Sequence, residues 1–497
     1  MNGANGQQFD VVVVGGGPGG STLAALVAKQ GHRVLILESE RMPRYQIGES
    51  LLPATVHGVC RLTGAADEVA RAGFTRKQGG TFKWGSNPDP WTFSFSVSPK
   101  MAGPTSFAYQ VERMKFDKIL LDNARRIGAE VREECTVTGV LDEDGRVQGV
   151  SYEDAQGTQH LVHARYVVDA SGHKSRIYRS VGGAREYSQF FRNIALFGYF
   201  EDGKRLPAPN SGNILSVAFD SGWFWYIPLT PSMTSVGAVV HQELASKVQG
   251  DPDKMLGKLI EDCPLIATYL SGARRVTDGE YGKIRVRKDY SYCHTKFWRP
   301  GLILIGDAAC FIDPVFSSGV HLATYSALLA ARSINSSIEG ILDEHAAFTE
   351  FERRYRREFS VFYEFLISFY EMHVDENSYF WAARKVTNSS HSELEAFASL
   401  VGGVSSGEFH LEDGEAIARR VSSDSRAFAS AINQQLADGS GGGVAPMFKS
   451  SVVRQAMQES AQVQARAQLG AALNGERPLF ADGLISSPDG LLWIRCG

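Results

Sequence analysis

The stretch Phe9–Glu38, FDVVVVGGGPGGSTLAALVAKQGHRVLILE, decides how the rest of the chain is read. Phe9 to Val14 is an apolar run of strand length that stops at Gly15, Gly16, Gly17, Pro18, Gly19 and Gly20. From Ser21 to Lys29 the pattern turns helical, and Arg33 to Leu37 is a second buried-strand pattern closed by Glu38. Strand, glycine turn, helix and strand form a βαβ unit, so the chain opens on a parallel sheet. Within it, Gly15-x-Gly17-x-x-Gly20 has a physical purpose. The first glycine makes the tight turn, the second lets the backbone approach a pyrophosphate, and the third lets helix and strand pack closely. Glu38, at the end of the second strand, suits a ribose diol as acceptor. The turn therefore predicts a dinucleotide, and it leaves NAD and FAD both open.

Working outward, Val111 to Arg126 carries an amphipathic helix pattern, with Arg113, Phe116, Asp117 and Leu120 at its head. Glu130 to Val140, Arg146 to Tyr152 and His160 to Val168 alternate as strands do, and the last ends in Asp169-Ala170-Ser171-Gly172 with Ser175 close behind. A further alternating set, Ile214 to Ile227 and Thr234 to Val240, belongs to a second sheet. Gly306 and Asp307 follow the apolar run Leu302 to Ile305. A carboxylate at such a strand end can accept from ribityl hydroxyls. The helix start after it, from Ser317 onward, can offer amides to a flavin oxygen or an anion. These segments, in this order, resemble the FAD-dependent monooxygenase fold of the para-hydroxybenzoate hydroxylase type.

That resemblance implies an α/β protein with an FAD-binding Rossmann-like domain, a second β-sheet substrate domain and a mainly helical C-terminal region. The expected core is 1–345, with dinucleotide-binding parts at about 1–110, 111–180 and 285–345 and the substrate sheet at about 80–110 and 185–285. The expected helical region is 346–497, with a flexible glycine-rich loop at 437–444.

Composition fits a soluble globular protein. Of 497 residues 43% are hydrophobic and 21% charged, and the net charge of -4 gives no reason to expect a nucleic-acid partner. No apolar run approaches the roughly 20 residues of a membrane span, and the start lacks a signal-peptide pattern, so a cytoplasmic protein is expected. The six cysteines show no close pair and no metal spacing, which predicts reduced thiols and no metal.

Three further motifs point to the reaction. Trp223-Phe224-Trp225-Tyr226-Ile227-Pro228 puts bulky aromatics on one short strand. Lys77 lies just before Gly79-Gly80 and the apparent strand Thr81-Phe82-Lys83-Trp84, with Arg76 and Lys83 as nearby competitors. Asp313-Pro314-Val315-Phe316-Ser317-Ser318-Gly319-Val320 leads into a helix. Together with Arg44-Tyr45-Gln46-Ile47-Gly48-Glu49-Ser50-Leu51-Leu52-Pro53 and Asn193 to Tyr199, these motifs resemble the flavin-dependent halogenases of glycopeptide antibiotic pathways along nearly the whole chain.

By that resemblance, the Trp-x-Trp-x-Ile-Pro strand, including Trp223, Trp225 and Pro228, keeps substrate away from the flavin, and Phe316 lines the same passage. Lys77 is the lysine that receives hypohalous acid, and the amides of Ser318 and Gly319 bind halide. Gly15, Gly17, Gly20, Glu38, Arg44, Ile47, Arg113, Asp307 and Val320 bind FAD, which is used as FADH2 with chloride. Tryptophan halogenases carry a glutamate where Phe316 stands. A phenol needs less help, so the resemblance implies tyrosine or β-hydroxytyrosine on a nonribosomal peptide synthetase carrier protein. No second nucleotide motif for NADPH is visible, which predicts a separate flavin reductase. An aromatic hydroxylase of the same fold and a catalytically idle flavoprotein adaptor of a carrier protein are the alternatives.

In the C-terminal region, Phe351, Tyr355, Phe359, Phe362, Tyr363, Leu366, Phe369 and Tyr370 recur at helical spacing and read as core, with a binding box as the alternative. Arg353, Arg354, Arg356 and Arg357 read as a solvated face, with docking of an acidic carrier protein as the alternative, and Tyr379, Phe380 and Trp381 as a lid over the substrate or as core packing.

Overall fold

The computed structural model describes residues 8–84, 89–98, 100–101, 103–371, 393–411, 479–480 and 483–495. The expected loop at 437–444 and the trio Tyr379, Phe380 and Trp381 lie outside them.

The valine run forms the strand Gln8–Val14, in the middle of a largely parallel sheet. Val34–Leu37 and Gln159–Asp169 flank it in parallel, and Glu130–Arg132 and Leu302–Leu304 extend it on either side. Both faces of these strands are covered, so Val11, Val12, Val13, Leu35 and Ile36 are buried, as unbroken apolar runs require. Two helices that start at glycine-containing turns, Pro18–Ala28 and Ser318–Ile338, pack on each other beside this sheet. A Cβ on Gly19 would come within 3.2 Å of the Ala323 carbonyl oxygen, so glycine sets how closely they cross.

The second sheet runs in the order Cys310–Phe311, Arg285–His294, Arg185–Glu201, Met233–His241, Gly222–Pro228, Ile214–Phe219, Gly79–Lys83 and Trp91–Ser94. Arg285–His294 was expected on the dinucleotide side; its long antiparallel pairing with Arg185–Glu201 places it in the second sheet instead. Thr75–Lys77 pairs separately with Ala108–Gln110.

The C-terminal region is not helical throughout. The helix Glu344–Glu371 begins just before the expected boundary at 345, and a hairpin of Leu484–Ser486 and Trp493–Arg495 returns to the core. The indole of Trp493 is fully buried, with the guanidiniums of Arg332 and Arg354 over it at 4.6 and 4.7 Å. Arg332 is paired with Glu408 through two bonds of 2.9 Å, and Arg354 with Glu350 at 2.6 Å. Arg354, expected on a solvated face, is therefore buried: its carboxylate partner and the Trp493 face replace water. Arg353 and Arg357 are exposed.

Candidate active site

A cavity of about 800 Å³ opens between the two sheets. One end is lined by Gly15, Gly17, Glu38, Arg44 and Arg113, the other by Trp223, Trp225, Gly319 and Val320, with Ile47 and Asp307 also on its wall. At the first end the backbone comes close by necessity. Gly15 has φ +101°, and a Cβ there would lie 2.7 Å from the Ala170 carbonyl oxygen. A Cβ on Gly20 would lie 1.9 Å from the Gly15 oxygen, so Gly20 serves packing and does not line the cavity. Glu38 accepts from the Gly16 amide at 2.6 Å and the Glu40 amide at 2.9 Å, so the carboxylate expected to serve a ribose also locks the glycine turn.

Arg113 donates to Asp117 at 2.7 and 2.9 Å and to the Ile47 carbonyl at 2.6 Å, while Arg44 donates to Asp117 at 2.8 Å. Two guanidiniums thus share one buried carboxylate at the cavity wall, which leaves a positive charge suited to a diphosphate. Burial pushes the Asp307 carboxyl up to about 6, against the pull of Arg287, Arg113 and Arg185. These features fit a dinucleotide: the glycine turn and the two arginines would hold its diphosphate, and Glu38 and Asp307 would accept from its sugar hydroxyls.

The second end is built from side chains. Successive residues of Gly222–Pro228 point to opposite faces of the sheet. Trp223, Trp225 and Ile227 therefore face the cavity, while Phe224 and Tyr226 enter a separate core on the outer face. Gly237 stands opposite Trp225, and a Cβ there would lie 2.3 Å from the indole. The missing side chain is what lets Trp225 lie across the sheet. Its Nε1 donates to Ser235 at 3.1 Å. Pro228 ends the strand outside the cavity lining.

Ser317, although not glycine, has φ +61° and bends the chain into the helix Ser318–Ile338. Gly319 faces the cavity, and Ser318 is buried with its hydroxyl making no hydrogen bond. Phe316 is set back among aromatic rings, with Phe369 at 4.8, Phe365 at 5.0 and Phe82 at 5.9 Å.

Lys77 is 3% exposed, whereas Arg76, one step along the same strand, is on the opposite face and exposed. Strand alternation thus separates the expected lysine from its neighbouring competitor. Lys77 Nζ donates to Ser50 Oγ at 2.9 Å and to the Leu51 carbonyl at 3.2 Å and lies 5.5 Å from the Phe95 ring centre. Among the described residues no carboxylate offsets its burial, which lowers its pKa to about 7. Lys77 does not itself line the cavity; Ser50, its acceptor, does.

Sequence reasoning passed over Glu49 and its partners as site residues. Glu49 lines the cavity, is buried, and accepts from Tyr199 at 2.8 Å; Tyr199 in turn meets the Tyr45 hydroxyl at 2.7 Å. Burial raises the Glu49 carboxyl to about 7, so near neutrality it can hold a proton or release it. The only signal was a charged residue inside Gly48-Glu49-Ser50, because its partner Tyr199 is 150 positions away. Among the described residues no cluster of His, Cys, Asp and Glu could hold a metal ion, and no helix is long and apolar enough to cross a membrane.

A Rossmann-type sheet with a glycine turn, joined to a second sheet across a long cavity, defines a flavoprotein of the monooxygenase type. Residues 10–104 and 97–441 match the tryptophan halogenase family, and the chain belongs to this family of flavin-dependent halogenases. It is 34% identical to a tryptophan 2-halogenase of Chondromyces crocatus, over 79% of this chain and 75% of that one. It is 33% identical to a flavin-dependent halogenase of Penicillium aethiopicum, over 72% and 70%. Among solved structures, the myxobacterial chondrochloren halogenase, described as a new variant of FAD-dependent halogenases, superposes with a TM-score of 0.75. The identity is 49%, over 98% of this chain and 100% of that one. The protein is thus an FADH2-dependent halogenase with FAD as cofactor, and enzymes of this family generally need a separate flavin reductase.

Proposed function

We propose that this enzyme chlorinates the ring of a phenolic substrate, a tyrosine or β-hydroxytyrosine residue held on a nonribosomal peptide synthetase carrier protein. The observation that carries this reading is Lys77, a buried amine with a pKa near 7 whose acceptor, Ser50, faces the flavin cavity. Burying an amine without a counter-ion is costly, and such a site is kept where a neutral, nucleophilic nitrogen is needed. Bound reduced FAD supplies the electrons that activate oxygen for oxidation of the halide. The amides of Ser318 and Gly319 hold the halide at the helix start. Trp223 and Trp225 keep the ring substrate off the cofactor. Making hypohalous acid consumes a proton, which Glu49 is placed to supply. Lys77 then takes the hypohalous acid, by hydrogen bond or as a haloamine, and presents the halogen to the ring.

The apolar ring cluster around Phe316 favours a substrate that needs no carboxylate there, because a phenol oxygen itself activates the ortho carbon. The 34% identical relative named for tryptophan favours an indole as second reading. The test combines reductase, FAD, NADPH and chloride with carrier-bound tyrosine, free tyrosine or tryptophan. Mass spectrometry should show a chlorine isotope pattern on the carrier-bound phenol. Chlorinated tryptophan alone would establish the indole reading, and oxygen insertion without chlorine would establish a hydroxylase. Lys77→Ala should lose chlorination while flavin oxidation continues.

A further inference from the structure

Asp313 opens the turn that leads to Ser318 and Gly319, and its carboxyl is completely buried. Three donors hold it: the Val315 amide at 3.1 Å, Asn193 Nδ2 at 2.8 Å and the Tyr370 hydroxyl at 3.1 Å. Each has a different origin. Val315 belongs to the turn itself. Asn193 comes from the second sheet, just past the register shift between Tyr187 and Arg192. Tyr370 is in the last turn of Glu344–Glu371.

The turn that Asp313 caps is not relaxed. Ser317 sits in the left-handed region, which non-glycine residues avoid and which the surroundings must impose. The Ser317 amide donates to the Pro314 carbonyl at 2.8 Å, so the bend runs directly from the Asp313 cap to the helix start. The Tyr370 ring packs on Trp84 at 5.4 Å and Phe191 at 5.2 Å, with Trp84 in turn 4.6 Å from Phe369. Phe369 also touches Phe316, so the Tyr370 hydroxyl links Asp313 to the aromatic cluster around Phe316.

We propose that Asp313 is the positioning residue of the halide turn, and that Tyr370 couples this turn to the aromatic side on which the ring substrate is received. This rests on the reading of Ser318 and Gly319 as the halide site. Asn193 fixes the carboxylate to the rigid sheet, and Tyr370 adds a bond that depends on how the helix end is packed. A substrate that shifts that end changes the hold on the turn and hence on the halide amides.

The test is the halide dependence of the holoenzyme, with reductase and FAD saturating, for Tyr370→Phe and Asn193→Ala. Each removes one donor to the carboxylate, so KM for chloride and for bromide should rise about fivefold. kcat at saturating halide and affinity for FAD should stay within about twofold, a split that general loss of structure would not give. In the wild type, halide KM should also differ between saturating ring substrate and a small soluble trap for hypohalous acid, and Tyr370→Phe should erase that difference. Unchanged halide KM in Tyr370→Phe, or FAD affinity falling by the same factor, would overturn the proposal. Gly319→Ala separates the two readings, because a Cβ there meets nothing within 4 Å and the methyl enters the cavity. If Gly319→Ala leaves halide KM untouched, the halide reading fails. If it raises KM while Tyr370→Phe does not, only the inference about Asp313 and Tyr370 fails.

Discussion

Two turns lead into the two helices that cross at Gly19 and Ala323, and they are held in different ways. The turn at Gly15–Gly20 bends because its own residues lack side chains, with Gly15 at φ +101° and Glu38 accepting from Gly16. The turn at Asp313–Gly319 bends through a serine at φ +61°, capped by Asp313, whose other partners are Asn193 and Tyr370. The first is held within one βαβ unit, by missing side chains and by a carboxylate 22 positions further on. The second is imposed by contacts across 120 and 57 positions of chain. The cavity shows a related difference: at the cofactor end close-lying backbone at Gly15 and Gly17 is joined by the Glu38, Arg44 and Arg113 side chains, whereas the other end is walled chiefly by the indoles of Trp223 and Trp225. Damage at one end should therefore read out differently from damage at the other.

Gly20→Ala should have the largest effect. Its Cβ would lie 1.9 Å from the Gly15 oxygen, so strand and helix must part. About 3 kcal/mol of stability should be lost in thermal or chemical unfolding, with flavin binding lost alongside. Retained FAD affinity would show that the glycine turn is less demanding than its geometry implies.

Lys77→Met tests the reaction end. Halogenation should fall by about 100-fold or more, the scale of a positioned proton-transferring group, while FAD still binds. The stability effect should run the other way. The Lys77 pKa is lowered from 10.5 to about 7, so the unfolded chain binds this proton more tightly. The group's contribution to stability is then present at high pH and is lost as pH falls toward 7. An apolar side chain of similar length escapes that penalty, so Lys77→Met should melt higher than wild type at pH 7 and no differently near pH 11. In the wild type, halogenation per flavin oxidised should rise toward pH 7 as Lys77 becomes neutral and fall above it as Glu49 loses the proton it supplies, a bell-shaped profile. A drop in stability or in FAD affinity on this substitution would place Lys77 in the scaffold.

Gly237→Ala should cost about 2 kcal/mol, less than Gly20→Ala, because the Trp225 indole can shift from a methyl while the Phe197 Cβ at 2.6 Å cannot move without its strand. Its mark should be functional: displaced Trp225 should raise the share of flavin oxidation that yields no halogenated product. Unchanged coupling would mean that the indole's position is not critical.

The same contrast explains what could be read from the sequence. The glycine turn, the alternation of Trp223 and Trp225 with Phe224 and Tyr226, and the strand ends at Asp169 and Asp307 are short-range patterns, visible within a few residues. The assignment of Lys77 came through resemblance, yet its environment did not: Ser50 and Leu51 lie 27 and 26 positions away. The buried state of Arg354 was missed because four nearby arginines resemble a wet surface. Its actual surroundings, Glu350 and Trp493, include a residue near the other end of the C-terminal region. The Glu49, Tyr199 and Tyr45 chain was hidden for the same reason.

The position of Trp493 also bears on how the protein is made. Two hydroxyls of the helix Ser318–Ile338, whose start reaches the cavity through Gly319 and Val320, are partnered by this residue: the Ser333 hydroxyl, which donates to the Ala347 carbonyl at 2.8 Å, accepts from Trp493 Nε1 at 2.9 Å, and Ser336 accepts from the Trp493 amide at 2.8 Å. Arg332 of the same helix lies against the ring. During synthesis Trp493 emerges more than 150 residues after the helix itself, so the helix that carries the proposed halide site cannot complete this packing until that distant segment has been made.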